Sequence, residues 1–295
     1  ITQEHFDFVH ADQLNMAQYA WDLPGIKKVL DEHNALWLLY QRLADQLANG
    51  PKKWVFSREA GLLRKYEGRA CRDFDFVLAV SDEDKKALNE VAKDREILVI
   101  PITVDTDELA PVERALQANH LIHIGTMFWL PNVDGILWFL ENIFPEIQRH
   151  LPETVFDVIG ARPPAELIRK GQEMKGVNIT GYVPNPIPYL QQAGVMVVPL
   201  RAGGGMRVKI LNALSQALPI VSTTIGCEGI KVIHREHLMI ADTPGEFVNA
   251  VLFLLENKEY AREMGIRGRK FVQENYDFRI ANKPLDLIYG GIRDD

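Results

Sequence analysis

The sequence predicts an α/β protein built from two doubly wound parallel-sheet domains that face each other across a cleft. Three observations carry that expectation. Short β-branched runs alternate with amphipathic helical patterns along the chain, which implies parallel strands joined by helical crossovers. A polar, irregular stretch from Thr103 through Pro111 interrupts the alternation and reads as a linker. Late in the chain a continuous apolar run, Val195-Met196-Val197-Val198, ends in a glycine-rich turn that opens a helix.

The elements follow in order. Phe6-Asp7-Phe8-Val9-His10 reads as a strand followed by a helix through Tyr19, and Lys28 to Asn34 as a second strand with a polar tip. Helical spacing of Leu36, Leu39, Tyr40, Leu43 and Leu47 predicts a helix over 36–48, with another over 57–72. Phe74 to Val80 is a third strand, and Ser81-Asp82-Glu83-Asp84 resembles a capping box for a helix over 82–92. Ile97 to Pro101 is a fourth strand. Beyond the linker, strands are expected near 121–125, 155–159, 177–180, 195–199, 219–223 and 238–240. Helices fill the gaps, among them one from Val133 to Gln148 with Ile136, Leu137, Leu140, Ile143, Phe144 and Ile147 inward. This divides the chain into residues 1–112, residues 113–278 and a terminal segment, 279–295, that crosses back to the first domain.

The chain has 295 residues, 47% hydrophobic and 25% charged, which is ordinary globular material of two-domain length. Its net charge of -7 argues against nucleic acid as a partner, because a phosphate backbone needs a basic surface. No apolar run approaches the ~18–20 residues that span a bilayer. Cys71 and Cys227 stand far apart and without metal-ligand spacing, so a reducing cytoplasm is expected rather than a disulfide framework. The first residue is Ile1 rather than Met, and it leads into a strand-like segment, as if part of the first domain were missing.

The stretch richest in chemistry is Pro199-Leu200-Arg201-Ala202-Gly203-Gly204-Gly205-Met206-Arg207-Val208-Lys209-Ile210-Leu211-Asn212-Ala213. Glycines let the backbone turn sharply and approach a ligand. A helix start presents unpaired N–H groups and the positive end of the dipole, which suits an anion. Arg207 and Lys209 place two cations in that first turn, where the dipole disfavours them unless an anion is present. The pattern points to a phosphate or diphosphate site, yet it is neither a G-K-[ST] P-loop nor a G-x-G-x-x-G fingerprint.

Several phrases in sequence order extend this. They are Asp31-Glu32-His33-Asn34, Leu78-Ala79-Val80-Ser81, Val99-Ile100-Pro101 with Val104-Asp105, and Gly125 with Pro131-Asn132-Val133-Asp134. Gly181-Tyr182-Val183-Pro184, the Pro199-to-Ala213 block, and Pro219 to Thr223 with Gly226-Cys227-Glu228-Gly229 complete the set. Together they resemble the family 4 glycosyltransferases, retaining enzymes of GT-B architecture that use nucleotide sugars. The resemblance implies two Rossmann-like domains, the first incomplete here. The second would bind a nucleotide-diphosphate sugar and the first an acceptor: a glycan, a lipid or a small molecule. It implies no metal and no cofactor beyond the donor, because protein cations and helix-terminal N–H groups stabilise the leaving diphosphate. Arg207 and Lys209 would neutralise the diphosphate, and Gly203, Gly204 and Gly205 would offer N–H groups. His33 would stand near the reacting sugar, Asn132 near the phosphates, Tyr182 and Val183 near the base, and Asn212 at the ribose, with Gly125 also in the donor site. Peripheral contact with a membrane surface, and a partner chain over the shortened first sheet, are further expectations.

The sequence departs from the family pattern where Asn212 stands for the usual ribose-binding glutamate, Met206 for Thr, Leu36 for Glu, and Ile102-Thr103 for Asn-Gly. These changes keep open a second reading, a glycosyltransferase-like domain that binds or scaffolds without turnover. A nucleotide-sugar epimerase would share the cleft but needs acid/base residues that are not evident. Cys227 reads as a small buried residue, and Phe128, Trp129, Trp138 and Phe139 as core and interface. Arg262, Arg267, Arg269 and Lys270 read as a solvated face, and His120 and His123 as poorly spaced for a metal.

Overall fold

The computed structural model describes residues 6–115 and 118–290. Ile1 and the last five residues of the expected crossing-back segment lie outside them. The first sheet holds β1 (Phe8–Asp12), β2 (Lys27–Glu32), β3 (Phe76–Ala79) and β4 (Leu98–Val99), all parallel and in sequence order. Between them run the short α1 (Ala17–Ala20), then α2 (Leu36–Gln46) and α3 (Pro51–Asp73), then α4 (Asp82–Val91). The expected helix through Tyr19 is reduced to a 3-10 turn and four α-helical residues, because Gln13 at φ 74 bends the chain out of β1.

The second sheet contains β5 (His120–Ile124), β6 (Phe156–Ile159), β7 (Val177–Gly181), β8 (Ala193–Val198), β9 (Ile220–Ser222) and β10 (Met239–Ile240). Its order is β10-β9-β8-β5-β6-β7, again parallel throughout. The chain therefore runs outward from β5 to β7 and returns to the other side of β5, so its switch point lies between β5 and β8. Ligands in such sheets bind beyond the carboxyl ends of the strands at that point.

Helices α5 (Leu130–Asn142), α6 (Phe144–His150), α7 (Ala165–Glu173), α8 (Ile187–Gln192), α9 (Val208–Ser215), α10 (Pro244–Glu256) and α11 (Lys258–Asn275) belong to this half. Val195 and Val197 face one layer with Phe139, Phe144 and Phe247, while Met196 and Val198 face Ile210, Leu211 and Leu214 on α9. Burial on both faces is why the strands read as apolar runs without polar alternation. The helix expected over 133–148 is two helices, broken at Ile143 (φ -124) just before Phe144-Pro145, since proline cannot donate to the preceding turn.

The linker is irregular but tied down. Arg269 donates to the carbonyls of Leu109 (2.7 Å), Thr106 (2.9 Å) and Ser215, so it does not belong to a solvated face. Thr106 donates to Asp277 at 2.7 Å. The chain then passes through α12 (Phe278–Ala281) to α13 (Asp286–Tyr289). There Ile288 packs with Val29, Leu78 and Ile100 of the first sheet, and the Tyr289 ring lies 5.2 Å from that of Phe8.

Candidate functional site

The switch point brings two strand ends together: β5, leading into Gly125, and β8, continuing through Pro199 into the glycine-rich turn. Lys209, in the first turn of α9, reaches across to β5. Its ammonium donates to Asn132 Oδ1 at 2.7 Å and lies 3.2 Å from His123 Nε2. His123 is fully buried, and its Nδ1 pairs with the Val197 carbonyl at 2.8 Å, which leaves Nε2 as the acceptor facing Lys209. Burial, and after it the Lys209 charge, hold the imidazole well below its usual pKa, so it stays neutral. Asn132 is fixed in turn by donating to the Thr126 carbonyl at 2.8 Å. Burial, and after it Arg207, lower the Lys209 pKa to about 7.

Gly125 leaves the notch open. A Cβ there would lie 2.6 Å from Lys209 Nζ and 2.9 Å from Asn132 Nδ2. Of the expected site residues, then, Gly125, Asn132 and Lys209 meet. Asn212 lies one helical turn after Lys209 and so shares its face of α9. Tyr182 is 74% exposed, just past Gly181 at the outer strand β7, with Val183 partly buried behind it.

The turn itself is arranged otherwise than a free anion cradle. Arg207 is buried, and its guanidinium donates to the carbonyls of Gly204 and Gly205. Burial lowers its pKa, partly offset by Glu228 and Asp84. Gly205 sits at φ 69, where a side chain would be strained, and its open face meets the His33 carbonyl of the first domain. Arg42 on α2 donates to Gly203 O at 2.8 Å and grips both oxygens of Glu228 at 2.5 and 2.8 Å. The glycines thus serve as the junction between domains, and Gly204 also faces Asn34 and Leu39.

His33 follows β2 at the carboxyl edge of the first sheet. Its Nε2 lies 2.8 Å from Asp12 and 3.9 Å from Asp31, and Gln13 donates to the ring at 3.4 Å. Three of the departures are explained by their neighbours. The amides of Leu36 and Trp37 both donate to the buried Glu67 (2.6 and 2.9 Å), which caps α2 from α3. Met206 Sδ accepts from the Ile102 amide at 3.4 Å, so those two substitutions form one contact. The Ser81 cap holds, with Oγ accepting from the Asp84 amide at 3.0 Å, but the box does not close. The Asp84 carboxylate instead accepts from the Ala35 amide at 3.0 Å, so it supports the tip that carries His33.

Sequence reasoning did not find Arg42, Glu67, Glu228 or His123 as site residues. His123 carried a faint signal, a histidine within an apolar strand one residue from its end. Phe128 and Trp129 are not core, being 60% and 41% exposed. Cys227 is buried as expected, and burial pushes its thiol up to about 11.

Residues 118–257 match the family model of the glycosyl transferases group 1. The chain is 26% identical over 265 residues to an uncharacterized protein of the cps region of Klebsiella pneumoniae, covering 86% of this chain and 66% of that protein. Among solved structures it is similar to sucrose-phosphate synthase from Thermosynechococcus elongatus, with TM-score 0.76 and 16% identity over 97% of this chain and 74% of that one. It is likewise similar to Anabaena HepE, solved in complex with UDP-glucose, with TM-score 0.71 and 12% identity over 97% and 79%. Residues 118–257 thus match a group 1 glycosyltransferase domain, and the chain as a whole has a GT-B fold.

Proposed function

We propose that the chain transfers a sugar, with retention, from a nucleotide-diphosphate donor to an acceptor hydroxyl in the cleft between its sheets. The observation that carries this reading is the notch at Gly125. There a half-buried lysine, with no carboxylate hydrogen-bonded to it among the described residues, is held by Asn132 and a neutral histidine at the switch point. A cation so placed needs no reorganisation when negative charge develops on a leaving diphosphate, which is the strongest form of electrostatic catalysis. Lys209 would hold the diphosphate and Asn212 the ribose. His33, oriented by Asp12, would stand at the sugar. Arg207 joins the site if the turn loosens, because its guanidinium is committed to the carbonyls of that turn in the closed arrangement.

That commitment, together with Asn212 in place of a carboxylate, favours one second reading: a domain that binds nucleotide without turnover. Calorimetric titration with UDP, GDP and ADP, beside Lys209→Ala and Arg207→Ala, tests the binding both readings share. One nucleotide should bind at micromolar level and lose at least about tenfold in Lys209→Ala. No binding at millimolar nucleotide defeats both. Binding without release of sugar from any donor sugar of that base selects the second.

A further inference from the structure

Two histidines and two aspartates gather on one face of the first sheet, at its carboxyl edge. Asp12 on β1 is the direct partner of Asp31 on β2 in the parallel ladder. Side chains alternate along a strand, so His10, two residues before Asp12, and His33, two after Asp31, share their face. It is the face that α13 covers, where Ile288 packs with Val29 and Leu78.

Their donor atoms form a chain of short approaches. His10 Nε2 lies 3.3 Å from Asp31 Oδ2, that oxygen 3.9 Å from His33 Nε2, and His33 Nε2 2.8 Å from Asp12 Oδ1. Asp12, Asp31 and His33 each offer an atom within 4.8 Å of the others. Two ligands at about 2.0–2.2 Å from a shared tetrahedral ion stand about 3.3–3.6 Å apart, so these spacings need little adjustment.

Two further features separate this cluster from ordinary cross-strand ion pairs. Like charges directly opposite one another in a sheet are destabilising, yet Asp12 and Asp31 are placed so. Among the described residues neither forms an ion pair with lysine or arginine; their charged partners are the two histidines. The histidines are also held by their far nitrogens. Tyr289 of α13 meets His10 Nδ1 at 2.6 Å, and Gln13 meets His33 Nδ1 at 3.4 Å, so both Nε2 atoms are turned to the carboxylates. An outer partner at one ring nitrogen, with the other facing acidic groups, is how metal-ligating histidines are oriented.

We propose that His10, Asp12, Asp31 and His33 bind one first-row transition cation of the zinc class. Two imidazoles favour such an ion over magnesium or calcium, which take oxygen ligands. In the bound state both histidines are neutral with their proton on Nδ1, and the Gln13 amide turns over so that its oxygen accepts from His33. The ion withdraws His33 from the sugar, so the site is inhibitory; this consequence rests on the proposed glycosyl transfer, and the binding itself does not.

The test is calorimetric titration of the full chain, freed of metal by a chelator, with Zn²⁺ and with Mg²⁺, beside the visible spectrum with Co²⁺. A single Zn²⁺ should bind at roughly micromolar level or tighter and Mg²⁺ should not, and Co²⁺ should give tetrahedral bands. His10→Ala and Asp31→Asn should each cost at least about tenfold in Zn²⁺ affinity. So should Tyr289→Phe, which keeps its ring against Phe8 and loses only the hydroxyl. Zn²⁺ should slow sugar transfer, and in Tyr289→Phe the inhibition should move to about tenfold higher Zn²⁺. No Zn²⁺ binding at millimolar concentration overturns the inference, as does an affinity left intact by His10→Ala combined with Asp31→Asn. Transfer that bound Zn²⁺ does not slow overturns the inhibitory role. Zn²⁺ binding at these residues in a chain that transfers no sugar, metal-free or loaded, would defeat the transfer reading and leave the metal site standing.

Discussion

The two sheets face the cleft with strand ends of very different construction. At the second sheet, His123 is fully buried, Asn132 is 4% exposed, and each polar atom around Lys209 has a partner that fixes it. At the first, His33 and Asp12 have side chains 35% and 69% exposed, and they meet through a single contact. A buried network is rigid and its dielectric is low, so a charge in it acts strongly on a ligand. An exposed pair is screened and adaptable. In the proposed reaction the buried end would hold the nucleotide, and the exposed end would meet the sugar and acceptor.

The sharpest way to break the comparison is to remove one residue from each end. Lys209→Ala should raise the nucleotide Kd by about 10–150-fold, the worth of a charge-assisted hydrogen bond in a buried site. His33→Ala should leave that Kd within about threefold and depress transfer. Comparable loss of nucleotide binding in both variants would erase the distinction. Gly125→Ala crowds the notch against Lys209 and Asn132, and it should cost about tenfold in nucleotide affinity and lower the melting temperature as well, because the rigid network around it must shift.

The contrast also has a pH signature. Since burial lowers Lys209 to about 7, its ammonium is present below that pH in the free protein and lost above it. Nucleotide affinity should therefore fall as pH rises from 7 to 9, and the fall should vanish in Lys209→Arg, which stays charged. A wild-type profile flat over that range would show that the lysine is not the titrating group.

The junction offers a smaller effect. Arg42→Ala leaves Glu228 without its bidentate partner and should lower stability by about 1–3 kcal/mol, with scattering data showing a wider separation of the domains. The smallest is at Glu32, which is 1% exposed and whose Oε1 has no partner among the described residues. Burial, then Glu67, raises its pKa, so the folded state holds the proton more tightly than the unfolded chain. Its contribution therefore favours folding at low pH and is lost as pH rises. Glu32→Gln should stabilise the fold by about 1 kcal/mol at pH 8 and less at pH 5, read as melting temperature.

Local pattern alone carried much of this. The two apolar periodicities mark strands and helices, the irregular stretch from Thr103 to Pro111 marks a break, and Gly203 to Lys209 marks a helix start with cations where an anion belongs. These are properties of neighbours in the chain, set by backbone geometry and burial. What the tertiary structure decided are pairs far apart in sequence. Sheet order alone put Gly125 beside α9, and burial made His123 a neutral partner for Lys209. The turn's close packing on His33 sent the Arg207 guanidinium back onto its own carbonyls. Glu67 caps α2 from another helix, which makes a glutamate at position 36 dispensable to that helix. Such contacts depend on which strands cross over and what is excluded from water, and no spacing along the chain encodes either.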